Sequence, residues 1–485
     1  MNNISPERPY NNQKIRDIFG ELSIDKRRLP SSGLTSIGVP SFVAEWLLDK
    51  IVPGEGELTP QEHEKVNRFV QKAFPRKDDR EEIKFDLKTG QTKTIIALMQ
   101  VRVKFGKGGE EITEPFARIP TLGFDSCMIS TDLINENRML LRQGIWGKIT
   151  LSIPSNNKIE VFDFDPFQCS LLDRNAYANF RAQFSNVEEW KDLLFCSMGY
   201  NPEHPSYTPE AKTWMLARLI PLVERNYHVM ELAPKGTGKS FVFENINSKV
   251  AVLSGGKVTR AQLFINGRTK EIGALGRHDV LVLDEVQSLT IDNPDEFIGP
   301  LKTYLANGSY NVSSFSDQPI TSDCSLVMLA NIELTSQLQP RNPNHLVANL
   351  PRFFSETALL DRICGIIPGW KIPKFQQAMI ASQVGLKMDF FGEALLALRS
   401  DPRFEAYAKQ HTNFDSKTVN VRDEKSIIKS ASGLLKLLYP HLELTPTEYQ
   451  EHCLKPAVEL RQYIRNSLYH LDDEFRRYGQ KIICT

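Results

Sequence analysis

The chain lacks the cysteine pattern of a disulfide framework or a zinc site. It has seven cysteines in 485 residues, an odd number, and no two of them stand in a CxxC motif. Small stapled domains and zinc knuckles both depend on paired or closely spaced thiols, so neither class fits this sequence. Unpaired thiols are typical of a reducing compartment, and we therefore expect a cytoplasmic protein.

Long apolar segments and an excess of charge of one sign are also missing. No stretch approaches the roughly 18 uninterrupted apolar residues that cross a bilayer, and the N-terminal sequence MNNISPERPYNNQ has no apolar signal-peptide core. We expect neither secretion nor a membrane partner. The 59 basic residues equal the 59 acidic ones, which excludes a globally basic nucleic-acid coat protein but not a local basic surface.

What remains is the composition of an ordinary globular protein. Hydrophobic residues make up 41 % of the chain and charged residues 24 %. At about 150 residues per domain, the length predicts roughly three domains.

The first part of the chain predicts an α+β module. Thr59, Pro60 and Glu62 have the spacing of a helix N-cap, a first-turn proline and a capping-box acid. Farther on, QVRVKF alternates apolar and basic residues like a half-buried strand, and KITLSI with IEVFDF predicts a hairpin. We assign residues 1–175 to this module, 176–370 to a central core and 371–485 to a helical lid and C-terminal helices.

Three short apolar runs in the central region predict a parallel sheet sandwiched by helices. They are YHVMELA, DVLVLDE and SLVMLAN, and helical segments separate them. Upstream, Thr208 and Pro209 mark a helix start, and Pro221 predicts a break in that helix. Near the end, Thr445 and Pro446 start the last long helical segment. The predicted fold class is α/β.

The segment APKGTGKS, directly after the first run, fits a P-loop with Ala233 in place of the first glycine. Lys239 supplies a charge for the β and γ phosphates, and Ser240 offers a hydroxyl ligand to Mg²⁺. Backbone N–H groups of the turn can cradle phosphate oxygens; its residues are Gly236, Thr237 and Gly238. A chance glycine-rich turn is the weaker alternative. ATP and Mg²⁺ are the predicted cofactors.

Two carboxylates end the second apolar run. Asp284 can hold Mg²⁺ through water, and Glu285 can orient the attacking water for hydrolysis. Asn331 ends the third run, where its amide can lie between the two motifs and near the γ-phosphate. The alternative for Asn331 is an ordinary asparagine in a turn.

Several cations are candidates for contacts with phosphate. Arg362 can act as a finger on a neighbouring subunit's nucleotide, although from sequence alone a helix-surface arginine paired with Asp361 or Glu356 is the better explanation. Arg352 is the competing finger. Arg422 and Lys429 can reach phosphate from the lid, with solvated surface charge as the alternative.

With these motifs the chain resembles AAA+ ATPases, in the branch that includes minichromosome-maintenance helicases and Lon ATPase modules. Within that branch it is similar to the BrxL family of BREX phage-defence systems. The specific segments are LIPLVERNYHVMELAPKGTGKS, LSGGKVTRAQLF, DVLVLDEV and LLDRICGIIPGWKIPKF. VPSFVAEWLL, IPTLGF and GIWGKITLSI extend the resemblance more loosely over nearly the whole chain.

The resemblance implies an AAA+ core whose subunits assemble into a ring, a hexamer or a heptamer, single or stacked, with ATP between subunits. It also implies that the N-terminal module and the central pore engage double-stranded DNA. By position, Lys239 and Ser240 are the Walker A pair, Asp284 and Glu285 Walker B, Asn331 sensor 1 and Arg362 the finger acting in trans. A sensor 2 residue falls in the neighbourhood of Arg422 and Lys429.

The sequence departs from the long family members in two places. Those members continue into a Lon-like peptidase domain with a Ser/Lys dyad, whereas this sequence stops at Thr485, so we expect no peptidase activity from this polypeptide. The loop that would carry a pore hairpin reads SSFSDQP and has no lysine or arginine. Contact with DNA in the pore would then be made by Ser and Asn side chains, or by other residues such as Lys257, Arg260 and Arg268.

Residue type alone suggests two basic groups for DNA. They are Lys26, Arg27 and Arg28 near the N-terminus, and Arg102, Lys104 and Lys107 on the strand and turn of the α+β module. Phosphate neutralisation by such groups makes binding salt-dependent and mostly indifferent to sequence. A solvated strand face and a basic loop are the equal alternative.

We interpret the chain as a ring ATPase that couples hydrolysis to loading on, or moving along, double-stranded DNA in phage defence, alongside other BREX proteins. One alternative is a protein-remodelling ATPase of the Lon or unfoldase kind, for which Phe315 is the candidate aromatic in the pore loop. Another is a nucleotide-gated scaffold in which turnover is incidental.

Overall fold

The chain divides into two units that interleave along the sequence. The structure, a computed structural model, describes residues 9–103, 114–154, 157–167, 174–256, 258–267, 271–291, 294–311 and 319–485. One unit, here the sheet unit, combines residues 1–26, 171–264 and 274–485. The other, the barrel unit, comprises residues 27–170 and 265–273.

The strands, in chain order, are β1 (Ser23–Asp25), β2 (Lys93–Arg102), β3 (Phe116–Ile119), β4 (Phe124–Ile129), β5 (Ile145–Ser152), β6 (Glu160–Pro166), β7 (Val229–Ala233), β8 (Val250–Ser254), β9 (Val280–Asp284), β10 (Ser309–Tyr310), β11 (Ile320–Thr321), β12 (Ser325–Asn331), β13 (Gly365–Pro368) and β14 (Val384–Leu386).

The α-helices are α1 (Asn12–Phe19), α2 (Arg28–Ser32), α3 (Ser41–Ile51), α4 (Pro60–Ala73), α5 (Arg80–Lys88), α6 (Thr131–Glu136), α7 (Arg174–Ala182), α8 (Val187–Ser197), α9 (Pro209–Ala217), α10 (Ile220–Val223), α11 (Phe241–Asn245), α12 (Arg260–Leu263), α13 (Pro294–Asn307), α14 (Thr357–Leu360), α15 (Met388–Ala397), α16 (Arg403–Gln410), α17 (Val421–Leu438), α18 (Pro446–Tyr449), α19 (Lys455–Leu471) and α20 (Asp473–Arg476). Within the described ranges, none of these helices is long and apolar enough to cross a membrane.

The barrel unit contains a closed barrel with the strand order β2-β3-β4-β6-β5. Neighbours are antiparallel except β4 and β6, which run parallel. Alternate β2 residues, among them Ile95, Ala97 and Met99, face the barrel core. A Cβ at Gly147 would lie 2.5 Å from a ring carbon of Phe164, so this crossing of β5 and β6 requires glycine. A five-stranded Greek-key barrel is the architecture of the OB-fold.

The sheet unit is built on a five-stranded parallel sheet in the order β13-β7-β12-β9-β8. Every residue of β7 is buried, and β9 and β12 are buried except at their last residues. Continuous apolar strands of this kind need cover on both faces, which is what the three apolar runs predict. Parallel strands all end at one edge of the sheet, and β7, β9 and β12 bring their last residues to that edge.

The predicted helix starts are confirmed. Thr59 and Glu62 form a reciprocal capping box at α4, and Thr445 and Glu448 form another at α18. Thr208 caps α9 through the Ala211 N–H. The predicted break follows α9, because α10 begins only at Ile220.

The two units differ from the boundaries expected at residues 175 and 370. Residues 23–25 leave the N-terminal module because β1 pairs with β14, with Ile24 opposite Gly385. The C-terminal helices are continuous with the sheet unit rather than separate from it, since a Cβ at Gly365 of β13 would lie 2.6 Å from the Leu460 Cβ of α19. The segment 265–273, which lies between β8 and β9 in sequence, groups with the barrel unit.

Candidate nucleotide site

The P-loop connects β7 to α11 at the edge where the sheet strands end. Gly236 has φ +85° and Gly238 has φ +65°, a backbone region that favours glycine. Ala233 needs no such freedom because it is still the last residue of β7. A Cβ at Gly369 would lie 2.3 Å from the Ala233 Cβ, so the strand ends are tightly packed here. The following helix, α11, has five residues.

Lys239 and Asn331 meet across two neighbouring strands. The Lys239 amine donates to the Asn331 Oδ1 at 2.8 Å, and β12, which ends in Asn331, lies between β7 and β9. The sequence therefore placed this amide between the two motifs correctly. Burial lowers the pKa of Lys239, and the carboxylates of Glu231 and Asp284 oppose that shift. Gln287, which the sequence did not single out, accepts the Asn331 backbone N–H at 3.1 Å.

Asp284 and Glu285 stand at the end of β9, two strands from the P-loop strand. The Asp284 Oδ1 accepts the Glu285 N–H at 2.8 Å, and among the described residues Oδ2 has no hydrogen-bond partner. A serine hydroxyl and a carboxylate oxygen are hard oxygen ligands, so Ser240 and Asp284 fit the coordination chemistry of Mg²⁺.

Glu285 has φ +55° and ψ +41°, a left-handed backbone that a non-glycine residue rarely adopts. Its exposed carboxylate lies against the turn after β8: an ideal Cβ built on Gly255 would stand 3.2 Å from the Glu285 Oε2. Sequence reasoning missed Gly255, although it belongs to the LSGGKV segment.

Two exposed aromatic rings flank the P-loop. Phe241 starts α11 and is 37 % exposed, and Phe375 is 42 % exposed. Their ring centroids lie 6.0 Å and 6.1 Å from that of the buried Tyr200. The Phe375 N–H donates to the Gly236 carbonyl at 2.7 Å, which fixes this loop against the P-loop. The sequence carried no motif that marked these rings.

Arg362 lies at the opposite edge of the sheet from its own P-loop. It follows α14 and precedes β13, whose first residue pairs with Val229, the first residue of β7. The five residues of β7 alone separate the two edges by roughly 16 Å. Burial and the nearby Arg422 lower the pKa of Arg362. Arg362 is therefore out of reach of phosphates at Lys239 of the same chain.

Arg422 shares this edge with Arg362. Its guanidinium pairs with Asp361, and both arginines line a cleft of about 540 Å³. Lys425 and Arg477 also line the cleft. The sequence suggests that Arg422 reaches phosphate from the lid; its location at the far edge keeps it away from phosphates at Lys239 of the same chain.

Lys429 needs the same correction. Its amine donates to the carbonyls of Arg225 and Asn226, each at 3.1 Å, just before β7 begins. This places the ammonium at the start of the strand and away from the P-loop at its end. Arg352, the competing finger, lines a separate cleft with Phe353.

Buried charges fix the loop that carries Arg362. The Arg461 guanidinium of α19 bonds to the Asp361 Oδ1 at 2.6 Å and to the Asp423 Oδ1 at 2.8 Å. Arg465 pairs with the other Asp423 oxygen. Asp361, Asp423, Arg461 and Arg465 are at most 2 % exposed at their side chains. The finger loop is thereby tied to α17 and α19.

Two of the three basic residues suggested for DNA near the N-terminus are internal. Lys26 is 3 % exposed and donates to the Leu386 carbonyl at 2.7 Å. Arg28 is 2 % exposed and bonds to Glu62 at 2.7 Å and to backbone carbonyls. Buried guanidinium and ammonium groups with internal partners are not available to phosphate, so both leave the DNA-contact set. Arg27 is exposed.

Of the strand and turn candidates, the structure describes only Arg102, and this residue is also internal. Arg102 is 7 % exposed and donates to the Val101 carbonyl and the Gln100 side chain, each at 3.0 Å. The alternation of buried apolar and exposed basic residues predicted for QVRVKF does not hold here, since Arg102 is buried and Val103 is 43 % exposed. Lys104 and Lys107 lie outside the described residues.

The pore-loop candidates are mostly outside the described residues as well. The strands β10 and β11 pair as a hairpin, with Ser309 opposite Thr321. The loop between them, including Phe315, is outside the described ranges, as are Lys257 and Arg268. Arg260 pairs with Glu296 at 3.2 Å.

Comparisons with known proteins agree across the chain. The family described as "BREX system Lon protease-like protein BrxL N-terminal" matches residues 17–153, and "Lon-like protease BrxL-like, ATPase domain" matches residues 159–481. The chain is 29 % identical over 439 residues to "Lon-like protease BrxL" of Escherichia coli O9:H4 (strain HS), covering 89 % of this chain and 61 % of that protein. It is 30 % identical over 438 residues to the protein of the same name from Bacillus cereus (strain H3081.97), covering 89 % and 62 %.

A viral protein is also similar. "Uncharacterized protein ORF426" of Acidianus filamentous virus 1 (isolate United States/Yellowstone) is 26 % identical over 209 residues, which cover 39 % of this chain and 49 % of that protein. The chain spans about three fifths of the length of the two bacterial relatives.

Proposed function

The chain belongs to the BrxL family, and from that premise and the geometry of the sheet edge we propose that it is a Mg²⁺-dependent ATPase. The observation that carries the proposal is the 2.8 Å contact between Lys239 and Asn331 at the ends of adjacent strands, with Asp284 ending the next strand. A cation, an amide and a carboxylate at one edge suit a nucleotide triphosphate with its metal.

Each group has a role in phosphoryl transfer that follows from its position. The Lys239 ammonium neutralises charge on the transferred phosphoryl group, and the Asn331 amide orients the γ-phosphate. Ser240 and Asp284 would hold Mg²⁺, which offsets the phosphate charge when it is bound. Glu285 orients the attacking water. Hydrolysis of this kind rests on positioning and electrostatics, without a covalent intermediate.

The nucleobase belongs beside the two exposed aromatic rings. Phe241 and Phe375 flank the P-loop and present apolar faces to solvent. Stacking of a base on such rings is worth about 1–3 kcal/mol in other proteins. We therefore place the adenine next to Phe241 and Phe375.

The nucleotide is shared between copies in a ring. The support is the separation of Arg362 and Arg422 from the P-loop across the sheet, because cations at the far edge can serve only another copy's phosphates. An interface that joins two different edges of the subunit is head-to-tail, and such an interface generates a ring when the rotation between subunits closes. A hexamer or a heptamer, single or stacked, satisfies this geometry.

The ring acts on double-stranded DNA, together with other BREX proteins, in phage defence. The support is the five-stranded barrel, whose fold class binds nucleic acid through the loops between its strands. Lys104 and Lys107 occupy the connection from β2 to β3. The relatives named Lon-like protease BrxL place the chain in a family named for the BREX system.

ATPase turnover with and without duplex DNA, at several salt concentrations, tests the proposal. We expect stimulation by DNA that weakens as salt rises, and no turnover in Lys239→Ala. Turnover without any response to DNA at low salt would overturn the DNA role, and stimulation by an unfolded polypeptide instead would favour protein remodelling. Glu285→Gln tests the scaffold alternative. A scaffold that needs only ATP binding keeps full phage defence when hydrolysis stops, whereas a motor loses it.

A further inference from the structure

Arg218 is a fully buried arginine directly beneath the P-loop. It occupies the break between α9 and α10 and is 0 % exposed. Its Nε and Nη2 donate to the two carboxylate oxygens of Glu231 on β7, at 2.9 Å and 2.7 Å. The Glu231 side chain is also 0 % exposed. Desolvation makes a buried ion pair of this kind a weak contributor to net stability. Its presence therefore calls for another role.

The same guanidinium also holds the P-loop backbone. Nη2 donates to the Thr237 carbonyl at 3.3 Å, and Nη1 donates to the Gly238 carbonyl at 3.4 Å. The carbonyl before them, that of Gly236, accepts the Phe375 N–H. Three consecutive P-loop carbonyls are thus bound by the protein itself.

These contacts determine where the P-loop N–H groups point. In a planar trans peptide the N–H points away from the C=O of the same peptide unit. Drawing the carbonyls of Gly236, Thr237 and Gly238 into the protein therefore turns the N–H groups of Thr237, Gly238 and Lys239 outward. Outward N–H groups in succession form an anion-binding concavity.

We propose that Arg218 and Glu231 are positioning residues that preorganise the P-loop for the phosphates of the nucleotide. Arg218 holds two carbonyls in place, and Glu231 holds the guanidinium in the orientation that reaches both. The inference rests on the proposed nucleotide site and assigns a role within it to two residues that never touch the nucleotide. Preorganisation of this kind raises affinity by removing the cost of ordering the loop on binding.

The double variant Arg218→Met/Glu231→Met separates positioning from stability. Replacing both members of a buried ion pair by apolar side chains is often neutral for stability. We expect a thermal midpoint close to that of the unmodified chain and a Kd for a non-hydrolysable ATP analogue at least about tenfold higher. A stable double variant with the unmodified Kd would overturn the proposal.

A matched control comes from a second buried pair in the sheet unit. Lys436 and Glu224 contact at 2.9 Å with side chains 2 % and 7 % exposed. Lys436 also donates to the Val223 carbonyl, and the Glu224 carboxylate accepts from the Ser432 hydroxyl of α17, so these partners lie outside the P-loop. Lys436→Met/Glu224→Met should leave the Kd unchanged, and an equal loss of affinity in both double variants would refute a specific role.

If the Arg218→Met/Glu231→Met chain does not fold, Arg218→Lys replaces it, because one ammonium cannot make all four contacts. An unmodified Kd in Arg218→Lys would also overturn the proposal.

The failure of the nucleotide site itself is distinguishable from the failure of this inference. If the unmodified chain binds no ATP analogue, the proposed function falls and the inference falls with it. If the unmodified chain binds the analogue and Lys239→Ala does not, the site stands, and the double variant alone decides the role of Arg218.

Discussion

At the scale of single residues, Glu285 combines a left-handed backbone with a carboxylate that packs against Gly255. Glu285 adopts φ +55°, which for a non-glycine residue costs on the order of 1 kcal/mol. Its carboxylate lies close to Gly255, since a Cβ there would stand only 3.2 Å from the Glu285 Oε2. Strain of this kind persists where the surrounding structure fixes it, and it concentrates at functional sites. We therefore include Gly255 in the proposed hydrolytic site.

Gly255→Ala tests this arrangement. The new Cβ would stand 3.2 Å from the Glu285 Oε2, so we expect the carboxylate to move and the rate of hydrolysis to fall. Because the substitution is remote from Lys239, affinity for ATP should change little. Steady-state ATPase assays give kcat, and binding of an ATP analogue gives the affinity.

Gly256→Ala is the matched control. Gly256 has φ +77° and Gly255 has φ +59°, so an alanine at either position strains the backbone. Among the described residues other than its chain neighbours, however, no atom lies within 4 Å of a Cβ at Gly256. Both variants should lose a similar stability, on the order of 1 kcal/mol. An equal loss of kcat in the two variants would mean that backbone strain, and not contact with Glu285, is responsible.

At the scale of elements, α17 and α19 determine where Arg362 lies. Asp361 accepts from Arg461 of α19 at 2.6 Å and also pairs with Arg422 at the start of α17. Since Asp361 and Arg362 are consecutive, the backbone at Arg362 is held relative to two long helices. The C-terminal helices thereby contribute to the edge that, in the proposed ring, faces a neighbouring copy.

Asp361→Asn should uncouple the finger from these helices. Removing one partner of a buried pair costs about 3–5 kcal/mol, and loss of the carboxylate also frees Arg422. We expect ATPase turnover to fall in the fraction that remains folded, with binding of an ATP analogue retained. Glu224→Gln removes a carboxylate paired with Lys436 on the same helix α17 and should lower stability without this loss of turnover. Full turnover in Asp361→Asn would show that the finger does not depend on Asp361.

Local signals in the sequence predicted the elements well, and long-range partners account for what was missed. Capping boxes and P-loop motifs consist of residues close together in sequence. Thr59 and Thr445 could therefore be assigned to helix starts, and Lys239 to the P-loop, from the sequence alone. Lys26 looked like a surface cation, because its partner carbonyl at Leu386 is 360 positions away. The suggestion that Lys429 contacts phosphate fails for the same reason, since the carbonyls that its amine bonds, those of Arg225 and Asn226, come from a distant segment.

At the scale of the whole molecule, equal numbers of acidic and basic residues are compatible with a local DNA surface. Many cations are internal: Arg28, Arg218, Arg461 and Arg465 are buried. Net charge therefore says little about the charge that reaches solvent. The connection from β2 to β3 retains Lys104 and Lys107 as candidates for the proposed interface.

Lys104→Ala/Lys107→Ala should weaken binding to duplex DNA about equally for different sequences. If both residues contact phosphate, the slope of log K against log salt should become shallower by about two. Fluorescence anisotropy with two unrelated duplexes measures both effects. Lys26→Met is the control for loss of a positive charge, because its ammonium is buried, and it should leave the slope unchanged. An unchanged slope in the double variant would remove this loop from the interface.

The ring itself can be tested by mixing two inactive chains. Lys239→Ala loses the P-loop lysine but retains Arg362, and Arg362→Ala has the opposite defect. The two groups lie at opposite edges of the sheet, so an intact site forms only where a P-loop from one variant faces an arginine from the other. Random assembly at equal concentrations makes about a quarter of all interfaces intact, since a head-to-tail interface takes one edge from each copy. We expect each variant to be inactive alone and their mixture to regain up to that share of the unmodified turnover.

The control is a mixture of Lys239→Ala with Asp284→Asn, which both damage the same edge and cannot complement. Activity in Arg362→Ala alone, or no recovery in a mixture shown to co-assemble, would mean that Arg362 does not complete a neighbour's site.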